Sequence, residues 1–405
     1  MLPDMRAEHS NSQKTANERV AVTGLGCMCA AGQDPDTALD NLEQGHRFFS
    51  APELFDERTL PYPFFGLADH FFPGKRQRSA KDTLTLAQAV VRNALAQANL
   101  PANSLGQAGI VFGTTVGSSL HFFDSYLASR TQALCPAMDR DDYFAANLAL
   151  RLDIPSFGPR VTITNACTSG ADAIGLGLDM IQSGQCECVI CGGADAFSFV
   201  PHTGFARLMI YDREPCRPFD KTRKGLNLGE GAAALVLESE THAQKRKATI
   251  LGYILGYGCS ADAHHFTAPH PEGRGLATSI HTALENARLC AADMAFINAH
   301  GTATPENDKV EGKVLAKCLP TTPVWASKGG MGHTLGAAGA IEAALVLQAL
   351  NRGRIPPSLG FQTPDPEIDL VPTQKILVLN SPYALSTSLG FGGGNAALVL
   401  GRGNI

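Results

Sequence analysis

The sequence predicts an α/β fold made of two similar halves. Short segments rich in β-branched and other apolar residues alternate with segments whose apolar residues have helical spacing, which is typical of a sheet covered by helices. Many predicted strands end in glycine or another small residue, and such residues permit tight turns and close backbone approach. The order of elements before residue 250 recurs in outline after it, which indicates a coarse duplication.

The first half begins after a polar N-terminal stretch. Residues 1–18 contain no apolar run, so we expect a disordered tail rather than a secretory signal. We assign residues 19–250 to the first half. Its predicted strands lie at residues 19–26, 108–115, 161–164, 188–193 and 232–238, and its predicted helices at residues 36–44, 80–97 and 170–183.

The second half, residues 251–405, resembles the first in outline. A strand-like segment at the junction opens it, and a strand, glycine turn and strand close it. The predicted strands lie at residues 249–260, 296–301, 324–328 and within 384–400, and the predicted helices at residues 275–289 and 336–351. No long linker separates the halves, so we expect them to pack intimately.

Composition excludes several classes of partner. The 405-residue chain carries a net charge of -5, so no basic field favours nucleic acid. No apolar run approaches the ~20 residues that span a bilayer. The 11 cysteines are odd in number and scattered, which favours reduced thiols in the cytoplasm. We interpret Cys186, Cys188 and Cys191 as part of a buried strand, and no metal site is predicted.

Cys167 carries the first chemical signal. It follows the β-branched segment 161–164 and precedes the predicted helix 170–183, the arrangement of a nucleophile on a strand-to-helix turn. The unpaired N–H groups and the dipole of a helix start favour negative charge. We therefore expect a lowered pKa for the Cys167 thiol, and the thiolate is the reactive form.

Three further segments place reactive or small residues near predicted strand ends. His300 lies at the end of one predicted strand, Lys328 and His333 lie in a glycine-rich stretch, and residues 389–395 read Leu-Gly-Phe-Gly-Gly-Gly-Asn. One cysteine with one histidine is compatible with a protease-like pair. Two histidines instead favour hydrogen bonding to a developing oxyanion.

These four segments, in this order, resemble those of β-ketoacyl-acyl-carrier-protein synthases of the elongating Cys-His-His type. The resemblance spans residues 19–401 and includes the segments 216–232 and 260–269. It places the chain in the thiolase superfamily, near the KAS II-like enzymes and the ketosynthases of type II polyketide or aryl-polyene pathways. It implies a thiolase-like fold whose duplicated α/β halves form layers in the order αβαβα.

The resemblance also implies catalytic roles for five residues. Cys167 accepts the acyl group as a thioester. His300 and His333 bind the carbonyl of the malonyl thioester and assist the loss of carbon dioxide. Lys328 and Glu342 maintain the geometry and charge of the site. For the two imidazoles to donate, Nε2 must carry the proton, so we expect neighbouring groups to fix each tautomer.

Further roles implied by the resemblance concern the substrate. The backbone N–H groups of Cys167 and Phe391 form the oxyanion hole, and the Phe391 ring gates the acyl channel. The other expected substrate-binding residues are Thr302 and Thr304, which contact the phosphopantetheine arm, Val116 and Phe205, which line the acyl pocket, and Gly392 and Gly393.

The implied partner is an acyl carrier protein, which brings the phosphopantetheine group, so no resident cofactor is expected. Because carrier proteins are acidic, the basic residues Lys75, Arg76, Arg78 and Arg207 are expected to form the docking patch. The resemblance further implies a dimer. The sequence leaves open whether this is a homodimer or a heterodimer with a subunit similar to a chain-length factor.

Departures from the common family pattern indicate a specialised branch. Gly394 stands where threonine is usual, and Thr387 stands where asparagine is frequent, which weakens the case for the family's monovalent-cation site. We therefore favour a 3-oxoacyl-carrier-protein synthase of a polyketide, polyene or specialised fatty-acid pathway. The alternatives are a ketosynthase subunit that depends on a non-catalytic chain-length factor, and a housekeeping KAS II. A purely non-catalytic subunit is disfavoured because Cys167 is present.

Overall fold

Ten strands form one mixed sheet in a computed structural model that describes residues 18–49, 62, 64–67, 82–115, 117, 148, 152–154 and 157–404. Their order across the sheet is β3-β2-β4-β5-β1-β6-β12-β11-β7-β8, and β9 and β10 form a separate pair. The strands are β1 Val20–Cys29, β2 Gly109–Gly113, β3 Arg160–Ile163, β4 Cys188–Asp195, β5 Gly231–Ser239, β6 Gly252–Ala261, β7 Met294–Asn298, β8 Val324–Trp325, β9 Arg354–Ile355, β10 Leu377–Val378, β11 Tyr383–Gly390 and β12 Gly394–Arg402.

The two halves of the sheet have the same connectivity. In the first half, β1 and β4 lie antiparallel to β5, and β2 lies parallel to both β4 and β3. In the second half, β6 and β11 lie antiparallel to β12, and β7 lies parallel to both β11 and β8. The halves join where Val20–Val22 of β1 pairs with Gly252–Ile254 of β6.

The helices form layers on both sides of each half-sheet. Helices α3 and α9 lie between the half-sheets and contact strands of both, whereas α2 packs on the first half and α6 on the second. The helices are α1 Pro35–Glu43, α2 Asp82–Gln97, α3 Ser169–Gln182, α4 Phe199–Arg207, α5 Glu240–Lys245, α6 Arg274–Ala287, α7 Pro305–Cys318, α8 Lys328–Met331 and α9 Ala338–Arg352.

Strand alternation places α2 and the central helices on opposite faces of the first half-sheet. Leu235 and Leu237 of β5 belong to the central apolar cluster. Ala234 and Val236, which alternate with them, belong to the cluster that includes α2. The second half-sheet divides its apolar residues in the same way. The layered αβαβα arrangement predicted from the sequence is therefore confirmed.

Small residues allow the two central helices to approach closely. A Cβ atom on Gly170 of α3 would lie 2.9 Å from the backbone nitrogen of Ala340, and a Cβ atom on Gly339 of α9 would lie 2.8 Å from that of Ala171. Real Cβ atoms are not found at such distances from backbone atoms, so glycine is required at both positions. This contact sets the position of the two turns that precede α3 and α9.

Most of the predicted elements are observed. The sequence did not predict the helices α4, α5, α7 and α8 or the short strands β9 and β10, and α7 is the longest of them. The half boundary near residue 250 falls between α5 and β6 and remains a prediction, as does the N-terminal tail, of which residues 1–17 lie outside the described residues. Among the described helices, none is long and apolar enough to cross a membrane.

Candidate active site

Cys167 lies on a tight turn between β3 and α3. The turn is a single 3₁₀ segment, Ala166–Thr168, and Ala166 has a φ of +47°, a conformation that costs a residue with a side chain free energy. Side-chain bonds hold it in place, because the Ser169 hydroxyl donates to the Ala166 carbonyl at 2.7 Å and the Thr115 hydroxyl donates to the same oxygen at 3.1 Å.

The environment of the Cys167 thiol differs from the sequence-based expectation. Burial raises the pKa of Cys167 to about 12, while the positive charge of Lys328 and the backbone N–H of Phe391 act in the opposite direction. The predicted lowering of the pKa is therefore wrong, because the helix-start argument ignored desolvation. The resting residue is a thiol that must lose its proton as it reacts.

Two histidines from the second half reach the thiol's surroundings. Nε2 of His333 is 3.1 Å from Sγ of Cys167. The His300 ring lies edge-on to that of His333, with centroids 5.1 Å apart and an interplanar angle of 88°. Burial, Lys328 and, for His300, the neighbouring His333 hold the pKa of both imidazoles well below 6.5, so both rings are neutral.

Lys328 and Glu342 form a buried ion pair behind His300. Nζ of Lys328 is 2.5 Å from Oε1 of Glu342 and 3.2 Å from Nδ1 of His300. An ammonium group has no acceptor, so Nδ1 of His300 must accept and its ring proton lies on Nε2. The arrangement therefore fixes the tautomer that the sequence analysis expected for His300.

No hydrogen bond from a described residue fixes the tautomer of His333. Its Nδ1 is buried and has no hydrogen-bond partner among the described residues. The expectation that neighbouring groups fix the tautomer of both imidazoles is therefore met at His300 alone. A neutral His333 can carry its proton on either nitrogen, so Nε2 can accept a proton in one step and donate in another.

The backbone of His300 is held by a carboxylate that the sequence analysis missed. Both oxygens of Glu311 are used, because Oε1 accepts from the His300 N–H at 2.7 Å and Oε2 from the Gly301 N–H at 2.8 Å. The Thr387 hydroxyl donates to Oε1 at 2.9 Å, and the Asn307 amide donates to Oε2 at 3.2 Å. Four protein donors satisfy this carboxylate, so these residues do not fit the family's monovalent-cation site.

The predicted gate lies on the turn between β11 and β12. The ring centroid of Phe391 is 5.3 Å from that of Phe205. The next two residues, Gly392 and Gly393, have φ angles of +88° and +85°, which residues with side chains rarely adopt. The Gly392 N–H donates to the carbonyl of Phe266 at 2.8 Å, which links this turn to the loop after β6.

One cavity of about 290 Å³ connects these groups. Its lining includes Cys167, His300, His333, Thr302 and Thr304, and the two threonine hydroxyls are 2.9 Å apart. The lining also includes the gate residue Phe391 and the predicted pocket residue Phe205, but not Gly392 or Gly393. The nucleophile, both histidines, both threonines and the two phenylalanines thus share one open space.

Some predicted positions cannot be placed. Val116 and the basic residues Lys75, Arg76 and Arg78 lie outside the described residues. Arg207 is described, and it is exposed at the end of α4, the helix that carries Phe205. The carrier-docking role of the four basic residues and the pocket role of Val116 therefore stay predictions.

The fold and this site define an acyl-transferring condensing enzyme of the thiolase type. The family profiles named "Beta-ketoacyl synthase, N-terminal domain" and "Beta-ketoacyl synthase, C-terminal domain" match residues 17–243 and 251–362. The chain therefore belongs to the β-ketoacyl synthase family. The sequence-based prediction of an enzyme of this family is confirmed.

Individual relatives are similar over nearly the whole chain. The 3-oxoacyl-[acyl-carrier-protein] synthase 2 of Staphylococcus aureus (strain COL) is 32% identical over 95% of this chain and 98% of its own length. The solved structure "The ishigamide ketosynthase/chain length factor" has 31% identity and a TM-score of 0.85, covering 95% of this chain and 99% of that chain. The structure of the ketosynthase ApeO with its chain length factor ApeC, from Xenorhabdus doucetiae, has 28% identity and a TM-score of 0.76, covering 95% and 98%.

Proposed function

We propose that the chain is a 3-oxoacyl-carrier-protein synthase that extends an acyl chain by two carbons on an acyl carrier protein. The observation that carries this proposal is the 3.1 Å contact between Sγ of Cys167 and Nε2 of His333 in a cavity shared with His300. The related synthase of Staphylococcus aureus is named for the same reaction. No resident cofactor is required, because the phosphopantetheine group arrives on the carrier.

The first step loads the acyl group. The Cys167 thiol gives its proton to Nε2 of His333 as sulfur attacks the carbonyl carbon of the incoming thioester. The backbone N–H groups of Cys167 and Phe391 stabilise the oxyanion. The bond to the pantetheine sulfur then breaks, the departing thiolate takes the proton from His333, and the acyl group remains on Cys167.

The second step forms the carbon–carbon bond. The malonyl carbonyl accepts hydrogen bonds from Nε2 of His300 and His333, and carbon dioxide leaves while the electron pair of the broken bond becomes an enolate. The enolate carbon attacks the thioester on Cys167. The Cys167–acyl bond breaks, the thiolate takes up one proton from solvent, and the 3-ketoacyl product stays on the carrier.

We further propose a specialised pathway of polyketide or polyene type. Two of the structural neighbours are ketosynthases found with a chain length factor, and Gly394 departs from the common gate-loop sequence. A housekeeping fatty-acid enzyme is the second candidate, because the Staphylococcus aureus synthase is as similar in sequence. We propose a cytoplasmic location for either enzyme, because the described cysteines are free thiols, as is usual in a reducing compartment.

We also infer that the chain acts as a dimer through the edge of the first half-sheet. Strand β3 lies at one end of the sheet, and among the described strands none pairs with its outer edge. Thr164, which follows β3, is exposed beside the nucleophile turn. Open strand edges pair readily with another chain. The partner is either a second copy or a chain-length-factor-like subunit.

Intact mass measurement tests the proposal and separates the pathways. The chain is incubated with carriers that bear saturated or polyunsaturated acyl groups of several lengths, and the mass gained on Cys167 is read. Stable loading of polyunsaturated groups supports the specialised pathway, and exclusive loading of saturated medium chains supports the housekeeping alternative. Absence of loading by every carrier, both alone and with a candidate partner subunit, contradicts the proposed function.

A further inference from the structure

The carboxylate of Asp172 holds the nucleophile turn from both sides. Its Oδ2 accepts a hydrogen bond from the Asn165 amide at 2.8 Å and another from the Thr168 hydroxyl at 2.7 Å. Asn165 and Thr168 flank the two residues Ala166 and Cys167. Asp172 itself is only 8% exposed, one turn into α3. A single acceptor oxygen therefore joins the two ends of the segment that carries the thiol.

The two hydrogen bonds to Oδ2 of Asp172, which we call the clamp, act on a strained segment. Ala166 has a left-handed φ of +47°, and such a conformation persists only where surrounding contacts enforce it. The direction of the Cys167 N–H, one of the two proposed oxyanion donors, depends on this backbone. Releasing Asn165 or Thr168 would allow the turn to relax and would move both the N–H and the thiol.

The second half of the chain supplies a further contact of Asp172. The Tyr257 hydroxyl, on β6, donates to Oδ1 of Asp172 at 2.8 Å. Its ring lies against α3 at Gly175, where a Cβ atom would be only 2.4 Å from the ring. Glycine at this position allows the tyrosine to reach beneath the nucleophile turn, so the orientation of the turn depends on both halves.

We propose that Asp172, oriented by Tyr257, is a positioning residue that keeps Cys167 competent for acyl transfer. The proposal deepens the proposed function and rests on it for the acyl-transfer readout. Asp172 touches neither the thiol nor the substrate, and it acts through Asn165 and Thr168. It is specific to the nucleophile, because other groups hold the two histidines. Glu311 and Lys328 hold His300, and the backbone of His333 pairs with that of Asn227 and Gly229.

The test compares Asp172→Asn and Tyr257→Phe with matched controls. An asparagine turns an N–H group toward at least one of the donors that now meet the carboxylate. Asp179→Asn is the control on the same helix, where the side chain is exposed. Tyr253→Phe is the control on the same strand, because the Tyr253 hydroxyl also donates to a carboxylate, that of Glu240, at 2.8 Å.

Three rates are measured for each variant: loading of Cys167 from an acyl carrier, alkylation of Cys167 by iodoacetamide, and decarboxylation of a malonyl carrier. We expect Asp172→Asn to slow loading and alkylation about tenfold, since a hydrogen bond to a charged group is lost. Tyr257→Phe should slow both several-fold. Decarboxylation should stay near the wild-type rate in both variants, and the controls should match wild type throughout.

The outcomes separate the two levels of the proposal. Equal loss of all three rates, or no change in loading and alkylation, overturns the positioning role. Tyr257→Phe keeps the ring and serves as the second variant where Asp172→Asn does not fold. Failure of loading with every carrier would contradict the proposed function alone. Alkylation requires no carrier, so it still tests the positioning role of Asp172 in that case.

Discussion

The two halves of the molecule use the same turn for different purposes. In the first half, the 3₁₀ turn before α3 starts at Ala166 with a φ of +47° and carries Cys167. In the second half, the 3₁₀ turn before α9 starts at Leu335 with a φ of +54°, and its next residue is Gly336. The duplicated fold thus provides two equivalent elbows, and only one holds a nucleophile.

The second elbow is linked to the first through Asp195 and Thr115. The N–H groups of Gly336 and Thr115 donate to Oδ2 of the buried Asp195 at 2.7 and 2.9 Å. The Thr115 hydroxyl in turn donates to the Ala166 carbonyl of the first elbow at 3.1 Å. The second half instead carries its chemical groups elsewhere: His300 follows β7, Lys328 and His333 lie between β8 and the elbow, and Glu342 lies on α9. The comparison shows that the first half supplies the nucleophile, whereas the second half supplies the residues proposed for decarboxylation. Each of the following changes tests that division.

The largest effect is expected for Cys167→Ala. Loading of the acyl group and condensation should fall by at least ~10³-fold, because the nucleophile is removed. Decarboxylation of a malonyl carrier should persist, since it uses groups of the second half. Cys191→Ala, which removes a buried core cysteine, is the matched control and should retain both activities. Retained condensation by the Cys167 variant would refute the assignment of the nucleophile.

For Lys328→Met we expect the opposite result, namely that decarboxylation is impaired while the nucleophile Cys167 is still present. Glu342 would be left as an unpaired buried carboxylate, which typically costs about 3–5 kcal/mol of stability. His300 would lose the group that fixes its proton on Nε2, and loss of one such donor slows decarboxylation by roughly 10²-fold. Thermal unfolding and carbon dioxide release measure the two effects.

A double variant separates stability from catalysis at this ion pair. Lys328→Met with Glu342→Leu removes both charges, so most of the lost stability should return. Decarboxylation should remain slow, because His300 still lacks its partner. Recovery of decarboxylation together with stability would show that Lys328 has only a structural role.

A pH effect is expected from Glu311, which holds the His300 backbone. Burial raises the pKa of Glu311 from 4.5 to about 7 in the folded chain. Glu311 therefore binds its proton more tightly in the folded state than in the unfolded state. The stabilisation of the folded state by this tighter binding is fully present below pH 4.5 and is lost as the pH rises through 7.

The measurement is the free energy of unfolding of wild type and Glu311→Gln across this range. The difference between the two proteins should change by about 3 kcal/mol between pH 4.5 and pH 7, in the direction of a relatively less stable wild type at pH 7. Glu285→Gln, at an exposed carboxylate on α6, is the control with the same chemical change. A difference that is constant with pH would show that Glu311 does not titrate in this window.

The smallest effect is expected for Gly336→Ala in the second elbow. A Cβ atom there would lie 2.6 Å from the Thr115 nitrogen and 2.9 Å from Oδ2 of Asp195, so the substitution should destabilise the chain by about 1–3 kcal/mol. Gly204→Ala on α4, where a Cβ atom meets nothing within 4 Å, should be close to neutral. Equal stability of the two variants would contradict the inference that the second elbow has no room for a side chain at residue 336.

Local patterns explain what the sequence predicted well. Strand-to-helix turns with small residues placed Cys167 and the two histidines near strand ends, and strand ends of one sheet edge meet in space. The duplicated architecture followed from the repeated order of elements. These features depend on residues close together in the chain, so a single sequence contains them.

Long-range packing explains what was missed. Glu311 lies on α7, whose Pro305 and Glu306 form an ordinary helix start that the sequence analysis did not use. Tyr257 and Asp172 are on different halves, and no local pattern joins them. The predicted direction of the Cys167 pKa shift was wrong, because a helix start can be recognised in a sequence whereas the degree of burial of a side chain cannot.

The central claim is that one cavity combines a nucleophile from the first half with decarboxylation by the second. The most direct test supplies the chain and any required partner subunit with an acyl carrier and a ¹³C-labelled malonyl carrier, and reads the carrier-bound product by mass spectrometry. The account predicts a 3-ketoacyl group that is two carbons longer and carries the label from malonate. Loading of Cys167 and release of carbon dioxide without any such product would contradict it.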